Sequence, residues 1–299
     1  MTVEIRPLDA ARDADAAFEL WRRSFERTWP MTRAAFGERL GDGFVAVCDD
    51  EPVGISVLTR DGHAAGIQLI VVAPEHRRRG IGTRLHDACL AALSRAGITN
   101  VRLGGTPGPY IWPGVPANGV EARQAFERWG WKFDGSCWDL TQSLIRYETP
   151  REVSERSPDG ITYRWATPRD RAELVAFEAE HFPQWAAAFA RDDNLSNAIV
   201  ACDRRGEIVG SLIATDPSIP HLWSRLLGEG SGTINAVGVA EPARGRGVGT
   251  GLVAYASEQL RDHGVDVCHI GWTVLLGFYG RLGFRPWRRY ATASRTLPR

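Results

Sequence analysis

Two stretches of this 299-residue chain carry arginine and glycine at a spacing that can hold an anion. The first runs Gln68-Leu69-Ile70-Val71-Val72-Ala73-Pro74-Glu75-His76-Arg77-Arg78-Arg79-Gly80-Ile81-Gly82-Thr83. The second runs Asn235-Ala236-Val237-Gly238-Val239-Ala240-Glu241-Pro242-Ala243-Arg244-Gly245-Arg246-Gly247-Val248-Gly249-Thr250. Both read as an apolar strand, then Arg-x-x-Gly-x-Gly, then a helix, and Arg77 and Arg244 lie 167 positions apart in one register. Gly80, Gly82, Gly247 and Gly249 let the main chain turn tightly and approach a phosphate. The N–H groups that open the helix face that anion, and Arg77 and Arg244 add charge-assisted contacts. A pyrophosphate is the expected ligand. Ile70, Val72 and Arg77 to Thr83 would surround it in one copy, and Val237 to Val239 with Arg244 to Thr250 in the other. A Walker A loop is excluded, since no Gly-x-x-x-x-Gly-Lys-Ser/Thr occurs and Lys132 is the only lysine. The first loop also lacks the Gly-x-Gly-x-x-Gly of a dinucleotide site, and the second has only glycines at every second position.

The loop and its preceding strand resemble motif A of the GCN5-related N-acetyltransferases, the GNAT superfamily. Phe278-Tyr279-Gly280-Arg281-Leu282-Gly283-Phe284 is similar to that family's Tyr-x-x-x-Gly-Phe motif, 30 residues from Gly249 to Tyr279. A weaker version, Phe126-Glu127-Arg128-Trp129-Gly130-Trp131, stands in the first half with Phe126 at the tyrosine position. The resemblance covers nearly the whole chain as two tandem copies. It implies acetyl-CoA as acetyl donor and a small-molecule primary amine as acceptor. It also implies an α/β (α+β) fold in each copy, a mixed, mostly antiparallel sheet flanked by helices, with two strands splayed to admit the pantetheine.

Acetyl transfer needs a neutral amine, a stabilised carbonyl oxygen and a proton for the departing thiolate. Neutralising a lysine-like amine at pH 7 costs about 4.6 kcal/mol. The resemblance assigns the oxyanion to a backbone N–H near Val237 or Val239, a contribution of roughly 3 kcal/mol, and the proton to Tyr279 as general acid. Phe126 cannot donate one, so the first copy is expected to be silent; it either still binds acetyl-CoA or only shapes the other half's pocket. Glu229, just before the second motif A strand, is the favoured general base, with Asp216, Glu180 and His181 as rivals and a water relay as the alternative to any single base.

A length of 299 residues suits two domains of about 150 each. The N-terminal copy is assigned to 1–147, a charged, proline-bearing linker to 148–160 and the C-terminal, catalytic copy to 161–299. Each opens with a short strand, Thr2 to Pro7 or Ile161 to Trp165, in which Arg6 matches Arg164. A helix and a β-meander follow, and after the loop a helix whose stripe is Leu85, Cys89, Leu90 and Leu93 or Leu252, Val253, Ala256 and Leu260. Gly82 to Phe126 is 44 residues, so the first copy has 14 extra, matching Thr106 to Gly119 with its four prolines and three glycines. This loop is expected either to close the partner domain's pocket or to serve packing alone.

Net charge is zero and pI near 7.1, which disfavours nucleic-acid binding. Five scattered cysteines without Cys-x-x-Cys point to reduced thiols and a cytoplasmic protein. The seven histidines form no metal-spaced cluster, so no metal is expected. No signal peptide and no membrane span are expected, and the oligomeric state is read as monomer or homodimer. Trp185, Trp223 and Trp272 are the acceptor-site candidates, since exposed indoles suit sugar rings. The arrangement is similar to bacterial tandem members of the family that acetylate glucosamine and glucosaminides, and to the mycothiol synthases, so an amino sugar is a fitting acceptor. Aminoglycoside-like antibiotics, polyamines, amino acids and a protein N-terminus stay open. The competing reading is a non-catalytic acyl-CoA sensor.

Overall fold

The structure, a computed structural model, describes residues 2–62, 64–105, 109–156 and 158–298. It forms two compact units, Met1–Cys137 with Arg289–Arg299, and Trp138–Arg288. The first unit runs β1 (Val3–Pro7), α1 (Ala10–Phe25), α2 (Arg33–Gly37), β2 (Gly43–Cys48), β3 (Glu51–Asp61), β4 (Ala64–Val72), α3 (Ile81–Arg95), β5 (Asn100–Leu103), β6 (Val115–Pro116), α4 (Val120–Arg128) and the start of β7 (Phe133–Ser143). Strands β1 to β4 pair antiparallel in sequence order, and β4 pairs β5 in parallel.

The second unit repeats the order. It has α5 (Arg151–Ser154), β8 (Thr162–Trp165), α6 (Arg171–His181), α7 (Pro183–Phe189), α8 (Asp192–Leu195), β9 (Ala198–Cys202), β10 (Ile208–Thr215), α9 (Ser224–Leu227), β11 (Ser231–Val239), α10 (Val248–Asp262), β12 (Val267–Thr273), α11 (Leu276–Gly280) and the start of β13 (Arg285–Thr296). Strands β8 to β11 are antiparallel and β11–β12 is parallel. Both sheets are thus mixed and mostly antiparallel, with α3 or α10 on one face. Leu85, Cys89 and Leu93, and Leu252, Val253, Ala256 and Leu260, are buried, while Leu90 of the expected stripe is half-buried.

The compact units do not follow the contiguous ranges 1–147 and 161–299. The last strand of each copy completes the other unit's sheet. Residues 138–143 of β7 pair antiparallel with β12, and Ser294 to Thr296 of β13 pair antiparallel with β5. Residues 148–160, expected as a linker, contain α5, whose Val153 is buried in the second unit's core beside Val248 and Tyr279.

One clamp recurs in both units. Arg6 donates two hydrogen bonds to Asp13, at 2.7 and 2.8 Å, and Arg164 donates two to Asp170, both at 2.7 Å. Each ties the first strand to the start of the first helix. The bidentate guanidinium holds each carboxyl well below the usual carboxylate range.

The parallel pairs are short. Register between β11 and β12 runs from Ser231↔Val267 only to Thr233↔His269, after which the strands part. A bulge interrupts β11 between its partners Asn235 and Gly238, and another interrupts β12 between Ile270 and Thr273. Ala236 (φ 50°) and Trp272 (φ 49°) take the left-handed conformation inside them, which is strained for a residue with a side chain.

The strand exchange makes a direct prediction. Tyr290 belongs to the second copy by sequence, yet it is fully buried in the first unit, where its ring lies 6.1 Å from that of Trp29. Tyr290→Ala is expected to cost about 3 kcal/mol or more. Hydrogen exchange should rise first in the first unit, in β5 and around Trp29, while β11 and β12 keep their protection.

Candidate active site

The two glycine–arginine loops share one backbone shape. Gly80 (φ 79°, ψ −3°) and Gly247 (φ 89°, ψ −3°) are left-handed N-caps of α3 and α10, and neither helix has a side-chain cap. Two residues earlier, Arg78 (φ 62°) and Gly245 (φ 75°) take the left-handed region as well. Arg77 donates Nε–H to the carbonyl of Val72, and Arg244 donates to that of Val239, both at 2.9 Å. These arginines therefore shape the loop by fastening it to the end of its strand, a duty that spacing alone did not indicate.

A cleft of about 890 Å³ opens over the second loop. Arg244 to Thr250, Val237 and Val239 line it, and so does Tyr279. Gly238 lies beneath, with the Phe182 ring 2.5 Å from where its Cβ would stand, so only glycine fits. The cleft contains four guanidinium groups, Arg156, Arg244, Arg246 and Arg281, against one carboxylate, Glu152. With the bare N-terminus of α10 this lining favours an anion. At the other end, Phe182, Leu275 and Phe278 are apolar. Tyr279 is 6% exposed, and burial pushes its phenol up to about 12. It carries its proton at any physiological pH. The bulge leaves Ala236 and Val237 without registered partners on β10, which frees backbone there for a ligand.

Glu152 and Arg156 lie in the segment expected to be a linker, and nothing in their spacing singled them out. Phe182, Phe278 and Arg281 flank motif residues but carry no signal of their own. Other candidates lie elsewhere. Glu229 precedes β11 and lines a separate hollow with Pro217, Pro220 and Arg225, so the structure does not bring it to Tyr279. Asp216 accepts hydrogen bonds from the Ser218 N–H at 2.8 Å and hydroxyl at 2.5 Å, which lower its pKa and make it a poor base. Glu180 is exposed at the end of α6, and the ring of His181 packs 4.9 Å from Phe177. Trp185 is half-buried and stacks on Phe182 at 5.3 Å. Trp223 is buried and offers no open face, whereas Trp272 is half-buried on the β12 bulge. Among the described residues, no group of three or more His, Cys, Asp or Glu could hold a metal ion. No helix among them is long and apolar enough to cross a membrane.

The first unit treats its parting strands differently. Register between β4 and β5 ends at Ile67↔Leu103. Beyond it, Gly104 N–H donates to the Ile67 carbonyl, Gly105 N–H to that of Trp112, and Ile111 N–H to Gln68 Oε1, at 2.9, 2.9 and 2.8 Å. The extra loop supplies Ile111 and Trp112; its residues 106–108 lie outside the described ones. Arg39 donates to the Tyr110 carbonyl at 3.0 Å, and Trp112 packs against Trp21, Phe25 and Trp29 at 5.1 to 5.5 Å. Pro116 and Val115 of β6 pair with Tyr290 and Ala291. A cavity of about 240 Å³ is left, lined by Ile70 and Phe126 but by no residue of the loop Arg77 to Thr83. Trp129 lies over that loop, its ring 3.6 Å from where a Gly82 Cβ would be and its Nε1 donating to Thr83 Oγ1 at 3.1 Å.

The family model described as acetyltransferase (GNAT) matches residues 10–108 and 161–284. The chain is 27% identical to a mycothiol acetyltransferase of Nocardia farcinica over 231 residues, 72% of this chain and 69% of the relative. It is 28% identical to one of Rhodococcus erythropolis over 270 residues, 84% and 83% of the two. Among solved structures, a GCN5-related glucosamine N-acetyltransferase region of a fungal multi-domain GH3 beta-N-acetylglucosaminidase is similar with TM-score 0.89 and 29% identity. That match covers 98% of this chain and 38% of the fungal chain, so this chain spans well under half of that protein. A tandem GNAT protein from the clavulanic acid biosynthesis pathway shares the fold, with TM-score 0.70 at 18% identity over 100% of both chains.

The two loops give a paired prediction. A Cβ on Gly80 would meet nothing within 4 Å, whereas one on Gly247 would stand 2.8 Å from the Arg156 carbonyl oxygen. Gly80→Ala is expected to cost about 1 kcal/mol through its left-handed φ alone. Gly247→Ala should cost clearly more and weaken ligand binding in the cleft. Urea denaturation of the two variants, side by side, checks the difference.

Proposed function

The chain belongs to the acetyltransferase (GNAT) family, and from that premise we propose that its second unit transfers an acetyl group from acetyl-CoA to the primary amine of a small molecule, an amino sugar. The carrying observation is the cleft that joins the bare N-terminus of α10 and four guanidinium groups to buried Tyr279. Acetyl-CoA supplies an activated thioester. Gly247 to Thr250 bind its pyrophosphate through backbone N–H groups, and Arg156, Arg244, Arg246 and Arg281 offset its charge. A backbone N–H at the bulge by Val237 would stabilise the carbonyl oxygen as it gains charge, a contribution of roughly 3 kcal/mol. Tyr279 delivers a proton to the sulfur as it leaves.

The amino-sugar acceptor draws support from the similarity to the fungal glucosamine N-acetyltransferase region. Half-buried Trp185 and Trp272 offer partial indole faces for such a ring. The first unit keeps the loop shape of Arg77 to Thr83 without the chemistry. Phe126 stands for the tyrosine, Trp129 covers the helix N-terminus, and the chain's own loop fills the parting strands.

Four outcomes are expected. Coenzyme A release, read with a thiol reagent, should appear with glucosamine or chitosan oligomers and not with polyamines or amino acids; turnover confined to another amine class would overturn the amino-sugar assignment. Calorimetry should give one acetyl-CoA per chain, and two would restore a role to the first loop. Tyr279→Phe should lower kcat by about 10²- to 10³-fold with acetyl-CoA affinity unchanged. Because the phenol keeps its proton up to about pH 12, the wild-type kcat should not fall between about pH 7.5 and pH 10 through loss of that proton.

A further inference from the structure

Acetyl transfer also needs a group to take the proton shed by the amine. The second unit holds a buried polar cluster where β11 and β12 part. His269 is the last β12 residue in register with β11, opposite Thr233. Side chains alternate along a strand. Cys268 lies in the core cluster that contains Tyr279, so His269 points to the opposite face. There its ring stacks on His221, centroids 5.7 Å apart and planes 7° apart, and meets the edge of Trp287 at 5.7 Å. Asp139 of β7, 2% exposed, brings Oδ2 to 3.5 Å from His269 Nε2, a buried nitrogen with no hydrogen bond. The other oxygen, Oδ1, accepts the N–H of left-handed Trp272 at 2.9 Å. One buried carboxylate thus bonds the strained bulge and faces the imidazole.

His221 is occupied. Its Nδ1 accepts the Trp223 N–H at 3.3 Å, so Nε2 carries the hydrogen and faces the Ser231 hydroxyl oxygen at 3.0 Å. That hydroxyl in turn donates to the Gly228 carbonyl at 2.5 Å. Burial lowers the His221 pKa to about 3, which keeps the ring neutral. His269 has no such ties. The titratable groups against it are Asp139 from β7 and His221 from the loop before α9, and Arg288 sits 5.0 Å over the Trp287 ring.

We propose that His269, backed by Asp139, is the proton acceptor for the amine, placed on the face of β12 opposite to Tyr279. This rests on the acetyl-transfer reading above. The amine nitrogen bonds to the acetyl carbon and the carbon–sulfur bond breaks. With Nε2–H turned toward Asp139, the proton leaving nitrogen goes to Nδ1 of His269, and sulfur takes the proton of Tyr279. The imidazolium proton returns to the tyrosinate through solvent, so one amine and one thioester give one amide and one thiol. Asp139 is a positioning residue that also stabilises the imidazolium, the arrangement of a base with its orienting carboxylate.

The test uses the full chain with acetyl-CoA and glucosamine. His269→Ala should lower kcat by about 10²- to 10³-fold while acetyl-CoA binding, by calorimetry, is unchanged. Added imidazole should restore part of that rate. Asp139→Asn should lower kcat less and leave the KM for acetyl-CoA unaltered. Turnover of His269→Ala within about twofold of wild type, with Tyr279→Phe crippled, overturns this assignment and leaves the transfer reading intact. Wild-type turnover in both variants removes the transfer reading as well. Loss of acetyl-CoA binding in His269→Ala, or a rate that imidazole does not restore, makes His269 structural and equally overturns the proposal. So does a large loss in Glu178→Gln, a fully buried carboxyl of α6 that accepts from the Ser211 hydroxyl, with His269→Ala unaffected.

Discussion

Two parallel strands that stop pairing after a few residues impose the constraint on which each unit is built. Backbone N–H and C=O groups taken from water must find partners, and a parting pair leaves them along both inner edges. The two units answer differently. In the first, the chain turns back on itself: Gly104, Gly105 and Ile111 bond to Ile67, Trp112 and Gln68, and Ile111 and Trp112 bury the result. In the second, β11 and β12 part beside a cleft lined by arginines and by Tyr279. The loop of 14 extra residues and the Phe126-for-Tyr279 exchange are thus aspects of one difference.

The glycine loops were legible in the sequence because their conformation is local. A left-handed N-cap followed by uncapped N–H groups depends on a handful of adjacent residues, and Gly80 and Gly247 adopt nearly identical angles. Even Arg78, which has a Cβ where the second loop has Gly245, is held left-handed, so the loop geometry outweighs that residue's preference. Tyr279 was legible for a similar reason, since a short helix and a turn fix it relative to Gly283 and Phe284.

What escaped the sequence is whatever depends on pairing across long separations. Residues of β7 and β13 alternate in the same way whichever sheet they join, so hydrophobic period cannot tell which edge they complete. The ranges 1–147 and 161–299 follow the repeat, and the compact units follow the exchanged strands. The same blindness hid Arg156 and Glu152. Their segment is charged and proline-bearing, the usual mark of a connection, yet Val153 anchors it in the core and brings the Arg156 carbonyl against Gly247. Glu229 was favoured for its nearness to the strand in sequence. It stands at the start of β11, whereas Val237 and Val239, which line the cleft, stand at its end.

On the proposed reading, strand alternation sets the two proton-handling groups on opposite faces of β12. Consecutive residues of β12 point to opposite faces, so Cys268 meets the Tyr279 side while His269 meets Asp139, His221 and Trp287. Acid and base set side by side on one face would pair with each other and shift both proton affinities. Divided by the strand, each keeps its own surroundings: apolar packing around the phenol, a carboxylate beside the imidazole. The exchanged strand supplies that carboxylate, since Asp139 lies on β7 some 130 residues before His269. The swap is therefore more than a way to finish a sheet edge, because a residue of the first copy's last strand enters the second unit's polar cluster.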